Sequence, residues 1–322
     1  MRFAEKGQVL TGLNPHGRVL MKLSRTVLII MLCLCMLFVC SGCRKRTSYF
    51  SLEYQFTSGQ LRYVKVKTES TLSSKPNDSV QIAPIKTNWL STARVETVIL
   101  NPKGEAILKI VMVDANAKSD QINLSFEQAQ NPIPSWMLMV DPKGRIITKS
   151  KKVKTANPVH KMLAYGAMTN AAIAYAVPLP KKPVKVGDTW RAETITPFQM
   201  PEEAMVNPNN LRMKTTCTLI GLVDYKGAPS YCIRVNKEFS TSQAKKEFIV
   251  RDTIGMACKG YETTDFWLSQ DKLEPLAFQS KSEIHTQVIA GPKYMQNSQS
   301  NKLIIRTTQA EISSIPLTLT PK

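Results

Sequence analysis

The sequence predicts a mainly β (α+β) protein: an antiparallel curved sheet, half-barrel or sandwich of about a dozen strands, with one packed helix. Three observations carry this. Short runs rich in Val, Ile, Thr and aromatic residues recur from Tyr49 to Ile312. Turn signals separate many of these runs at hairpin spacing, and hairpins make antiparallel pairs. One segment, Pro158–Val177, has helical start and stop signals instead.

Composition agrees and excludes several classes. The chain has 322 residues, 43% hydrophobic and 21% charged, a globular balance that excludes wholesale disorder. Its 14 glycines and 19 prolines show no triplet period, so a collagen-like chain is excluded. A single long apolar run excludes a polytopic helical membrane protein. The net charge is +19.

Strand candidates begin with Tyr49–Phe56 and Leu61–Leu72. Asn101-Pro-Lys-Gly104 then separates Thr92–Leu100 from Glu105–Val113. Asp141-Pro-Lys-Gly144 separates Ser135–Val140 from Arg145–Ser150, with Gln121–Glu127 before them. Asp224-Tyr-Lys-Gly227 separates Lys214–Val223 from Ala228–Phe239. Each turn has the form Asx-x-Lys-Gly, suited to a type I turn whose glycine takes φ > 0 as a bulge. Thr189–Ile195, Ile254–Leu268, Leu276–Ile289 and Leu303–Ile312 complete the set.

The helix has Asn157 as N-cap and Pro158 at its first position, and Pro178 stops it. Met162, Tyr165 and Met168 belong to an apolar surface that should pack on the sheet. The Pro/Lys segment 178–186 follows. It divides an N-terminal β half, 49–177, from a C-terminal half, 187–322; two halves or one continuous sheet both fit.

The N-terminus carries an address. Lys22 and Arg25 precede 13 apolar residues, Val27–Val39, too few to span a bilayer and suited to a secretory signal over 21–42. Cys40-Ser41-Gly42-Cys43 resembles a bacterial lipobox with Cys40 where Leu is usual. The resemblance implies cleavage before Cys43 and lipidation of its thiol; an uncleaved anchor is the alternative. Residues 1–20 are a polar leader or lie upstream of the true start at Met21. Loss of residues 1–42 leaves a net +15. In the tether 43–48, Arg44, Lys45 and Arg46 are placed to contact anionic headgroups. Arg44 after the lipidated cysteine implies the outer membrane, facing the periplasm, if the cell has two membranes.

Lys182-Pro183-Val184-Lys185-Val186-Gly187-Asp188-Thr189-Trp190 resembles the P-V-x-V-G-D-x-W segment of uncharacterised secreted β-rich bacterial families. Tyr54–Gly59–Tyr63 before it and Phe266-Trp267-Leu268…Leu273-Glu274-Pro275 after it extend the likeness. The resemblance implies a lipid-anchored cell-envelope protein and brings no catalytic residues. Strand order also resembles the curved half-barrels that carry lipoproteins or lipids. Physically, Gly187-Asp188 makes a turn and Trp190 anchors the strand that follows.

Catalytic motifs are missing. Only His160 and His285 follow the signal, too few for a three-histidine zinc site. Ser242-Gln-Ala-Lys245 has S-x-x-K spacing without its partner motifs. Glu202-Glu203 are adjacent and so poor acid/base partners. The expectation is no catalytic residues, no metal, no cofactor and no enzyme. Lysines at 149–154 and at 181, 182 and 185 suit anionic lipids or acidic polymers rather than nucleic acid. Two functions remain open: binding of an apolar ligand or lipid in a β concavity, or a structural or interaction lipoprotein that contacts anionic envelope polymers or partner proteins.

Cys217, Cys232 and Cys258 remain beyond the lipobox. If Asp224–Gly227 is a type I turn with a glycine bulge, Asp224 pairs with Ala228. Cys217 then falls opposite Val235 and Cys232 opposite Ile220. Period-two alternation puts the two thiols on opposite faces, so no Cys217–Cys232 disulfide forms and Cys217 is a buried core thiol.

Overall fold

The computed structural model describes residues 48–74, 83–119, 123–126, 135–152, 158–192, 211–241, 254–290 and 300–314. Among the described residues there are twelve strands: β1 (Leu61–Ser74), β2 (Ile85–Leu100), β3 (Ala106–Ser119), β4 (Asn123–Phe126), β5 (Ser135–Val140), β6 (Ile146–Lys152), β7 (Thr189–Ala192), β8 (Leu211–Tyr225), β9 (Ala228–Thr241), β10 (Ile254–Ser269), β11 (Pro275–Ala290) and β12 (Ser300–Ser313). One helix among the described residues, α1 (Pro158–Ala174), joins β6 to β7 in sequence. All strands belong to one antiparallel, unclosed sheet of order β6-β5-β3-β2-β1-β12-β11-β10-β9-β8-β7, with β4 on the side of β3. The first and last strands meet in its middle, where Tyr63 pairs with Ser313 and Ser74 with Lys302.

The hairpin turns β2–β3, β5–β6, β8–β9 and β10–β11 all lie at one end. The two Asx-Pro-Lys-Gly turns form as the sequence predicts. Gly104 and Gly144 have φ of 78° and 77°. Their N–H groups donate to the carbonyls of Asn101 and Asp141, both at 2.9 Å. The Asn101 and Asp141 side-chain oxygens accept the N–H groups two and four residues on, the Asx device that favours these residues at turn starts.

The third turn differs. Tyr225 pairs with Ala228, and Lys226 and Gly227 take φ of 54° and 86° between them. This is a two-residue type I′ hairpin, whose twist suits the flanking strands. Proline fixes φ near −65° at the second position of the other two turns; Tyr225 imposes no such constraint, so the turn slides by one residue. A register shift between Leu219 and Gly221 absorbs the slide. Below it Cys217 still faces Val235, as predicted, whereas Cys232 faces Gly221 rather than Ile220.

Tyr49–Phe56 is extended but is not a ladder strand. Leu52 and Tyr54 are buried between exposed Ser51, Glu53 and Gln55, which explains the strand-like pattern. Its backbone bonds cross the turn end instead. Phe50 exchanges two bonds with Val184, Tyr54 N–H donates to Pro142 O, and Gln55 N–H donates to Lys272 O. This segment and Tyr175–Val184 fill the turn end of the sheet. There Arg62 pairs with Glu274, which also accepts Gln60 Nε2 at 2.6 Å.

The helix packs chiefly on β3 and β2. Leu163, Met168 and five alanines are buried, and Tyr165 meets Trp136 edge-on at 5.6 Å. The Met162 side chain lies outside the described residues. Gly166 is required here: a Cβ would stand 2.6 Å from the Trp89 ring. The helix ends at Ala174, short of the predicted Val177. Tyr175 and Ala176 N–H groups bond three residues back, tightening the final turn before Pro178.

Gly187 takes φ of 89° and Asp188 accepts Lys185 N–H at 3.0 Å, so the predicted turn is present. Trp190 donates its indole N–H to Pro178 O at 2.9 Å and packs against the core, as an anchor for β7.

Candidate functional site

The ladders bring side chains of one face into rows that cross the sheet. Toward the turn end runs Leu219, Ile233, Phe266, Phe278, Ala310 and Val66, all buried. The next row is Cys217, Val235, Thr264, Ser280, Thr308 and Thr68, buried as well, with the Thr68 and Thr308 hydroxyls hydrogen-bonded at 3.1 Å.

The third row is polar throughout. Thr215 lies beside Lys237, Lys237 beside Glu262, Glu262 beside Ser282, Ser282 beside Arg306, and Arg306 beside Ser70. Lys237 Nζ donates to Glu262 Oε1 at 2.7 Å, and the Thr264 hydroxyl donates to the same oxygen at 3.2 Å. These ionic side chains are only 17% and 26% exposed. Arg306 stands two strands from Glu262, roughly 10 Å between backbones, with Ser282 between. Its Nε is buried and has no hydrogen-bond partner among the described residues. Burial holds the guanidinium below its ordinary range, against a weaker opposing pull from Glu262.

The fourth row is apolar again. Met213, Phe239, Gly260, Ile284, Ile304 and Leu72 are neighbours in turn, and each is half-buried. The Phe239 ring lies over Gly260, where a Cβ would come within 2.8 Å of it. The bare glycine leaves room for the tip of the Phe239 ring and for the Glu283 carbonyl, which a Cβ would approach to 2.4 Å. The inner face therefore alternates apolar core, hydroxyls, a charged belt and an apolar shelf. Such a surface suits a molecule with one polar end and one apolar end.

Residues singled out in the sequence lie elsewhere. Cys43, Arg44, Lys45, Arg46, Glu202, Glu203 and the Ser242–Lys245 segment are outside the described residues, as are the side chains of His160, Cys258 and Lys149–Lys152. Lys181 and Lys182 are exposed. His285 is on the outer face with Nε2 2.8 Å from Glu283. The charged belt is not among the sequence-predicted sites. Its signal is a charge set in the apolar half of an alternation: Val235-x-Lys237-x-Phe239 and Ile304-x-Arg306-x-Thr308-x-Ala310.

Cys217 and Cys232 are both free and buried. Desolvation pushes the Cys217 thiol up to about 12, with a smaller opposing effect of Lys237. It pushes Cys232 up to about 11, with Asp265 adding to the rise. Neither is a reactive thiolate at neutral pH. No helix among the described residues is long and apolar enough to cross a membrane, and no group of metal-ligating side chains occurs among them.

No family model and no curated protein matches the chain. Among solved structures it is similar to one described as lipid–protein interactions in lipovitellin, at 12% identity and TM-score 0.43 over 83% of this chain. That match spans 26% of the lipovitellin chain. It is also similar to DynF from the dynemicin biosynthesis pathway of Micromonospora chersina, at 5% identity and TM-score 0.22 over 83% of this chain and 86% of that one. A third likeness is to an outer membrane channel from Pseudomonas putida F1, at 6% identity and TM-score 0.22 over 81% of this chain and 97% of that one.

Proposed function

We propose that this is a lipid-anchored cell-envelope protein that holds an apolar or amphipathic ligand, such as a lipid, against the inner face of its sheet. One observation carries the ligand: the row Met213–Leu72 crosses six adjacent strands and presents five half-buried apolar side chains, with Gly260 among them, on the face that elsewhere forms the core. Apolar area left facing water costs about 25 cal/mol per Å², so an alkyl chain laid there is favoured. The helix packs chiefly on β3 and β2, whereas five of the row's six positions lie on β8 to β12. The lipobox-like Cys40–Cys43 supports the anchor. Binding uses no catalytic residue and no cofactor.

The test extracts the purified full chain with organic solvent and identifies the extract by mass spectrometry. Wild type should release a stoichiometric alkyl-chain molecule. The Ile284→Asp/Ile304→Asp variant, folded by circular dichroism, should release none. Equal release from both, or none from wild type, would favour a structural or interaction lipoprotein instead.

A further inference from the structure

We infer that the charged belt is a head-group site: Arg306, assisted by Lys237, receives the anionic end of an amphiphile whose alkyl chain lies along the Phe239–Ile284–Ile304 shelf. This rests on the binding reading above and adds the ligand's charge and orientation.

The argument begins with the cost of Arg306. A guanidinium carries five N–H donors and stays charged. Buried charges are normally paired, because removing one from water is expensive. Arg306 is half-buried, and its Nε is buried with no hydrogen-bond partner among the described residues. Glu262 is the nearest carboxylate influence, yet it is committed to Lys237 at 2.7 Å and to the Thr264 hydroxyl. The belt of Lys237, Glu262 and Arg306 thus carries one unmatched positive charge. Ser282 and Ser70 flank Arg306 on its two neighbouring strands and add hydroxyl donors. A carboxylate or phosphoryl oxygen is what this set of donors lacks.

Position supplies the orientation. The belt lies between the filled rows near the turn end and the half-buried apolar row beyond. An anion at Arg306 therefore has no room to send an alkyl chain toward Thr308 and Ala310, which are buried. The chain runs the other way, over Ile304, Ile284 and the Phe239 ring that lies on Gly260. Charge complementarity and apolar surface then select the same molecule, an anionic amphiphile rather than a neutral one.

The experiment uses the full chain in neutral phosphatidylcholine nanodiscs, with empty discs subtracted. Two fluorescent probes are titrated: 11-(dansylamino)undecanoic acid and its methyl ester. Wild type should bind the acid about tenfold or more tighter than the ester, the scale of a charge-assisted bond. Arg306→Gln should lower acid binding to the level of the ester and leave ester binding unchanged. Arg306→Lys should keep most of the preference. The Arg306→Gln thermal midpoint should not fall, since a half-buried guanidinium whose Nε has no partner among the described residues is being removed; a purely structural arginine would behave oppositely.

Equal binding of acid and ester by wild type, unchanged in Arg306→Gln, would overturn the head-group site while leaving the apolar reading standing. Binding of neither probe would overturn both. Displacement of the acid by millimolar inorganic phosphate, with no loss of ester binding, would also overturn the proposal, because the site would then read a free anion. Acid binding seen only in Glu202→Gln/Glu203→Gln would assign Arg306 to the chain's own acidic segment and overturn it too.

Discussion

Cys217 lies opposite Val235 in the β8–β9 ladder, on the core face, while Cys232 two strand positions before Arg234 points to the other face of the same hairpin. Their places on either side of one turn make a bridge tempting, and the alternation of faces forbids it. Both should therefore resist iodoacetamide at pH 8 in the folded protein and react on unfolding. Peptide mapping without reductant checks this; a linked Cys217–Cys232 fragment would contradict the register. The same burial gives a pH dependence. The thiol of Cys217 ionises near 9.0 when free and is pushed up to about 12 when folded. Between these values the unfolded chain holds fewer protons than the folded one. Stability should be unaffected below pH 9 and fall as pH rises above it, by up to ~1.4 kcal/mol per pH unit for this group. The fall should be shallower in Cys217→Ala, followed by urea unfolding.

The twin turns separate sequence pattern from surroundings. Gly104 and Gly144 share a motif and a φ near +78°. A Cβ on Gly104 meets only the Pro142 Cγ at 3.0 Å, whereas one on Gly144 would fall 2.0 Å from the Val177 carbonyl oxygen. Gly104→Ala should cost about 1 kcal/mol, the left-handed penalty. Gly144→Ala should cost clearly more, because the leader of β7 must move away. Equal denaturation midpoints for the two variants would show that Val177 does not lie over this turn.

Met168 is fully buried where α1 meets the sheet. Met168→Ala should destabilise by about 2–5 kcal/mol, as large-to-small core changes do. Chemical denaturation measures it, and an unchanged midpoint would make the helix peripheral.

Cys43→Ala should abolish incorporation of labelled palmitate and the cleavage that depends on it. Equal labelling of both forms would remove the lipid anchor from the account.

The strands, the helix and the Asx-Pro-Lys-Gly turns were legible in the sequence because each rests on local chemistry: alternation, caps and a proline with fixed φ. The Asp224–Gly227 turn lies one residue from its sequence-predicted register because Tyr225 leaves two turn types open, and a bulge near Ile220 hides the choice from Cys217. Tyr49–Phe56 looked like a strand because burial alternates along it, while its hydrogen-bond partners, in the distant turns at Pro142 and Lys272, leave no mark on its own residues. The charged belt is only half legible: Lys237 and Arg306 stand out in apolar alternations, but nothing local joins them. Lys237, Glu262 and Arg306 sit on β9, β10 and β12, and only the ladder registers place them in one row.

The account's central claim is that the inner face beyond the belt holds an alkyl chain. Ile304 and Ile305 are consecutive on β12 and point to opposite faces, the first half-buried on the inner face and the second 50% exposed on the outer. A photo-crosslinking phenylalanine placed at each position in turn, irradiated in native membranes, tests the claim directly. The account predicts adducts of alkyl-chain mass at position 304 and none at 305; adducts at 305 alone, or equally at both, would contradict it.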